Sequence, residues 1–186
     1  MLKTKDAYMS MQEFQTLMME DFEKDRDFAK TSPSHFSLRT LYRTGAALLE
    51  GLTYQLRLVC FAAYEDNPEI FDPSEVLALK EKLVSVNSKG KIEENDYYQS
   101  IQNSILFTFS MFAKIQRIEF SPNTSDHRWG SLRKFIKIRN SLMHPKSLSD
   151  FEVDEEKNMA GVEGVSWFYD NLNDLYRACE AVDKKT

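Results

Sequence analysis

Glycine and proline are scarce in this 186-residue chain, at 6 and 5 copies. Both residues punctuate turns, so the many tight connections of a β-sandwich or barrel have little to be built from. Cysteine is scarcer still. Cys60 and Cys179 each sit in apolar, helically spaced surroundings with no Cys or His at metal-ligand spacing, which reads as two buried reduced thiols rather than a disulfide or a metal site. The longest nearly apolar run, Ile105 to Ala113, falls far short of the ~20 residues that cross a bilayer. The opening MLKTKDAYMSMQEF lacks the apolar stretch of a signal peptide. Nucleotide-binding glycine patterns and nucleophile elbows are missing as well. These absences set the expectation of a cytoplasmic protein with no membrane segment, no metal and no other cofactor.

What is present is ordinary for a folded chain: 42% hydrophobic and 28% charged residues, too apolar for a disordered one. The length suits a single domain spanning 1–186, since domains commonly run to about 100–200 residues. Tyr8, Met11, Phe14, Leu17, Met18 and Phe22 recur at helical spacing and predict an amphipathic first helix. Thr31 to Ser34 breaks it, and a long helix follows to about Tyr64, with small residues Gly45, Ala46, Ala47 and Gly51 where another helix can approach. Asp72-Pro73-Ser74-Glu75 opens a short helix carrying Leu77, Leu79 and Leu83. A polar loop is predicted over Asn87 to Asn95, then a helix of about 20 residues holding Tyr97, Tyr98, Ile101, Ile105, Phe109 and Phe112. A further helix runs from near Arg128 to before Pro145. Asp150 to Gly164 reads as an acidic loop with partial helix, and a last helical stripe starts at Val165. The predicted fold is all-α, a compact bundle of five or six helices.

The net charge of −5 gives no reason to expect a nucleic-acid partner, yet it is unevenly spread. Residues 1–113 are net −5 and residues 148–186 net −6, whereas residues 114–147 hold eight basic and two acidic side chains, for net +6. One reading is a local anion site confined to one helix and the loop before it; the other is a solvated face that pairs with the chain's own acidic tail.

On a helical wheel with Leu132 at zero, Phe135, Ile136, Leu142 and Met143 form one apolar face, and Arg139 falls at roughly −20°, in its middle. A guanidinium there must meet a carboxylate, an open pocket or a second subunit. Asn140 and His144 lead from that face to the polar flank that carries Arg133 and Lys137.

The run Arg139-Asn140-Ser141-Leu142-Met143-His144, late in a small helical chain and followed by Pro145, resembles the signature of the HEPN superfamily, Arg and then His after four to six residues. The resemblance implies a helical bundle that dimerises with the motifs of two subunits facing each other. It also implies a metal-independent ribonuclease of toxin–antitoxin or phage-defence systems, with a protein antitoxin as a further partner; other members have lost catalysis and bind RNA or protein partners. In such a site Arg139 holds the phosphate, Asn140 orients it or the histidine, and His144 moves a proton to or from ribose, with the partner subunit's copy of the motif in the complementary role. Under the opposite reading, Arg139 pairs with a buried carboxylate and His144 caps its helix. Members that pair with a nucleotidyltransferase antitoxin carry Tyr two positions after the His; Lys146 stands there in this chain.

Glu50 lies midway between Arg43 and Arg57 on one stripe of the long helix, beside Gly51, and is a candidate to meet Arg139 or orient His144; solvated pairing within its own helix is the alternative. Arg128, Arg133, Lys137 and Lys146 are candidate RNA contacts. Trp129 is a candidate base-stacking aromatic, or else part of the core. His35 and His127 have no companions that suggest a role.

Overall fold

A computed structural model describes residues 2–183. In chain order the elements are α1 (Lys3–Thr31), α2 (His35–Asp66), α3 (Pro73–Leu79), β1 (Lys82–Val86), β2 (Ile92–Asp96), α4 (Ile101–Ile115), α5 (His127–Met143) and α6 (Glu155–Asp183). Short 3-10 turns occupy Pro68–Ile70 and Leu148–Phe151. The fold is an all-α bundle of six helices, with one two-stranded hairpin among the described residues.

Helix α2 is the axis of the bundle. Ser34 caps it: its hydroxyl accepts from the Ser37 N–H, and the Ser37 hydroxyl accepts from the Ser34 N–H. Leu48, Leu52, Leu56, Val59 and Cys60 are buried along its length, where α1, α4, α5 and α6 pack on it. By length and composition α2 could cross a membrane, but 56% of its most apolar stretch is buried within the bundle. Such burial is what the core helix of a packed domain shows.

Helix α1 lies along α2 and is tied to it at the end away from the connecting turn. Its own N-cap, Leu2, offers no side-chain acceptor, so the Asp66 carboxylate at the far end of α2 takes the Lys3 and Thr4 N–H groups at 3.2 and 2.9 Å and the Thr4 hydroxyl at 2.6 Å. The Thr4 hydroxyl, more than the backbone donors, holds this carboxyl below its ordinary pKa. The small residues of α2 serve the close approach expected of them, because the Phe14 ring fills the space where a side chain on Gly51 would begin.

Between α3 and α4 the chain departs from expectation. Leu83 continues no helix: it sits on β1, which pairs antiparallel with β2 in the register Lys82↔Asp96 to Val86↔Ile92. The second half of the loop predicted over Asn87 to Asn95 instead forms most of β2 (Ile92–Asp96). Its sequence IEEND hides the strand because every residue in it is exposed, so no apolar alternation marks a buried face. Tyr97 and Tyr98 precede α4, which opens only at its Ser100 cap and runs for 15 residues rather than about 20.

The last helix begins ten residues before its predicted start. Asp154 accepts the Lys157 N–H at 2.8 Å, and Gly161 and Gly164 keep the first turns thin. A Cβ at Gly164 would stand 2.8 Å from the Leu132 Cα, and Gly161 admits the Tyr42 ring, whose hydroxyl donates to the Lys157 carbonyl. The missing apolar stripe in this stretch reflects close backbone packing of α6 on α5, not a loop. Beyond it Trp167, Phe168, Leu172 and Leu175 close the core against Phe109 and Phe112 of α4. Cys60 is buried and Cys179 half-buried; burial raises the Cys60 pKa well above that of a free thiol.

Candidate functional site

Helix α5 starts at Asp126, whose carboxylate accepts the Arg128 N–H at 2.9 Å, and ends at Met143. Leu132, Phe135 and Leu142 are buried, as the wheel predicts, while Met143, in the final turn, is 47% exposed. Arg139 lies between these apolar anchors and is half-buried. Its Nη2 donates to Glu50 Oε2 at 2.7 Å and its Nη1 to Asn140 Oδ1 at 3.1 Å. Of the destinations open to a guanidinium on that face, the structure supplies two, a carboxylate and an open groove.

Glu50 thus meets Arg139 across the α2–α5 contact instead of pairing along its own helix. Arg57, two turns further on, turns the other way and pairs with Glu81 at 2.5 Å. The two ion pairs form part of one polar groove of about 540 Å³ between α2, α4, α5 and the base of the hairpin. Lys137, Asn140, Tyr54, Gln99 and Gln102 also line it.

His144 is the C-cap residue of α5. Its backbone N–H donates to the Asn140 carbonyl at 3.0 Å and its side chain is exposed. The imidazole makes no hydrogen bond among the described residues, and His144 does not line the groove. The structure therefore brings together Glu50, Arg139, Asn140 and Lys137, with His144 outside them, just past the end of the same helix.

The remaining basic candidates divide into two groups. Arg128 spends its guanidinium on Asp126 at 2.6 Å and Asp170 at 2.5 Å, and these carboxylates, Asp126 first, raise its pKa above the ordinary arginine value. Lys134 reaches Glu156 at 3.6 Å, so pairing with the acidic C-terminal segment is real for part of the basic block. Arg133, Lys137 and Lys146 form no ion pair among the described residues and are exposed. Trp129 is half-buried with its ring centroid 4.7 Å from that of the fully buried Trp167, which commits one side of it to the core. His35 accepts the Val153 N–H at 3.3 Å, a packing role.

Sequence reasoning did not find Tyr54, Glu81, Gln99 or Gln102. Tyr54 alone carried a signal, lying four residues after Glu50 and so on the same stripe of α2. No family model, curated protein or solved structure matches this chain.

Proposed function

We propose that this chain is a metal-independent endoribonuclease of HEPN type that acts as a homodimer in a cytoplasmic toxin–antitoxin or phage-defence system, with a protein antitoxin as a further partner. The observation that carries the reading is the Arg139–Asn140 pair on the wall of an open polar groove, with His144 exposed five residues on. Each terminal nitrogen of Arg139 gives one N–H, Nη2 to Glu50 and Nη1 to Asn140, so the remaining guanidinium N–H groups serve a phosphate oxygen, and the two contacts fix the plane in which they point. The imidazole is the side chain suited to proton transfer near neutral pH. In one subunit His144 takes the proton from the ribose 2′-hydroxyl, whose oxygen attacks the phosphorus. The partner's His144 protonates the departing 5′-oxygen, leaving a 2′,3′-cyclic phosphate and a 5′-hydroxyl. Arg139 stabilises the charge that grows on the phosphate oxygens.

A second reading has its own support. His144 stands outside the groove and Glu50 already neutralises Arg139, which suits a non-catalytic helical module that binds RNA or a protein partner. Expression in a bacterial host separates the two. The nuclease reading expects growth arrest that His144→Ala abolishes at equal protein level; arrest that persists unchanged in His144→Ala refutes it.

A further inference from the structure

The groove beside Arg139 holds more recognition chemistry than a phosphate clamp requires. Tyr54 projects from α2 with half of its surface exposed, and the Arg57 guanidinium lies 5.4 Å from its ring centroid. Arg57 is itself fixed by Glu81, so the ring is backed by an anchored cation. Gln99, just before the α4 cap, and Gln102, in its first turn, are half-buried, yet their amides make no hydrogen bond among the described residues. Lys137 completes the groove on the α5 side as a cation without an ion pair, next to Arg139. The unpaired Lys137 beside the Glu50-paired Arg139 on one wall, an aromatic ring on another and free amides match the three parts of a nucleotide: phosphate, base face and base edge. The volume, about 540 Å³, falls within the roughly 300–1,000 Å³ of small-molecule sites.

We propose that this groove binds one unpaired nucleotide of a single-stranded RNA, with the phosphate at Lys137 and Arg139, the base stacked on Tyr54, and the amides of Gln99 and Gln102 on the base edge. The assignment rests on the RNA reading above and makes Tyr54 the residue that distinguishes bases from bare backbone.

The test uses fluorescence anisotropy at fixed salt with two labelled probes, a single-stranded RNA hexamer and a ribose-phosphate hexamer without bases. The wild type binds the RNA about tenfold more tightly than the abasic probe. Tyr54→Ala removes that preference and leaves abasic binding unchanged, Tyr54→Trp restores it, and Lys137→Ala weakens both probes alike. Circular dichroism of each variant shows the same helical spectrum. If the RNA hexamer binds but Tyr54→Ala changes nothing, the stacking assignment is overturned and RNA binding survives. If neither probe binds, both fall. RNA that binds through Tyr54 but is never cut overturns the nuclease reading alone.

Discussion

Replacing the two partners of the Glu50–Arg139 pair, singly and together, tests whether the contact that organises the groove is an energetic coupling or only a proximity. Two unit charges about 4 Å apart attract by about 1 kcal/mol in bulk water and about 4 kcal/mol at an effective dielectric of about 20. The Glu50 side chain is 41% and that of Arg139 26% exposed, so the pair sits between these limits, and desolvation and side-chain ordering take back most of the gain. The coupling expected in a double-mutant cycle of Glu50→Gln with Arg139→Met is therefore about 1 kcal/mol. Glu50→Gln alone loses about that much, which lowers the melting temperature by about 2–4 °C in a chain of this size. Arg139→Met alone is close to neutral, because it removes a half-buried charge while keeping the apolar stem. Urea denaturation of the four proteins under identical salt supplies the four free energies. A coupling below the scatter of additive pairs, about 0.3–0.5 kcal/mol, refutes the claim that Glu50 holds Arg139 in place.

Other consequences of the structure are open to measurement. Phe109 is fully buried between Phe120 and Phe168, so Phe109→Ala costs about 3–5 kcal/mol in chemical denaturation; a loss under 1 kcal/mol contradicts the assigned core. Gly51→Ala drives a methyl group into the Phe14 ring, and the overpacking cost of about 1–3 kcal/mol is offset by about 1 kcal/mol of helix propensity, so the net loss is at most about 2 kcal/mol and Phe14→Leu in the same chain turns it into a gain. Hydrogen bonds hold Asp66, Asp72, Asp126 and Asp150 below the ordinary carboxylate pKa. Their contribution is complete above about pH 4 and is lost as the pH falls through the depressed values, so acid titration of thermal stability steepens there and Asp126→Asn flattens part of it. Burial raises the pKa values of Tyr42, Tyr169 and Tyr176, so stability declines as the pH rises past about 10, and these three phenols ionise only with unfolding in an ultraviolet titration.

Legibility in the sequence followed locality. The starts of α2 and α3 could be read from Ser34 and from Asp72-Pro73, because capping uses neighbours a few residues apart. The exposure of Arg139 to a special environment was legible for the same reason, since its place among Leu132, Phe135 and Leu142 depends only on helical pitch. Its partner was legible only as a candidate: Glu50 was singled out beside Gly51, but the space at Gly51 receives Phe14 of α1, and nothing local points Glu50 toward α5. The hairpin was not, because strands exposed on both faces carry no alternation. Nor was the start of α6, where Gly161 and Gly164 replace the apolar stripe with backbone contact. The groove itself joins residues from α2, from the segment after β2 and from α5, up to 90 positions apart between Glu50 and Asn140, and no local pattern announces such an assembly.

The measurement that bears most directly on the proposed activity is cleavage of a labelled single-stranded RNA by purified protein in excess EDTA, compared with Arg139→Ala and His144→Ala. The wild type is expected to yield fragments ending in 2′,3′-cyclic phosphate. His144→Ala is expected to lose at least about a hundredfold in rate, in line with removal of a general acid–base group, and Arg139→Ala a similar amount, in line with removal of a charge-stabilising donor. Intact RNA with the wild type, or equal cleavage by His144→Ala, contradicts the proposed activity.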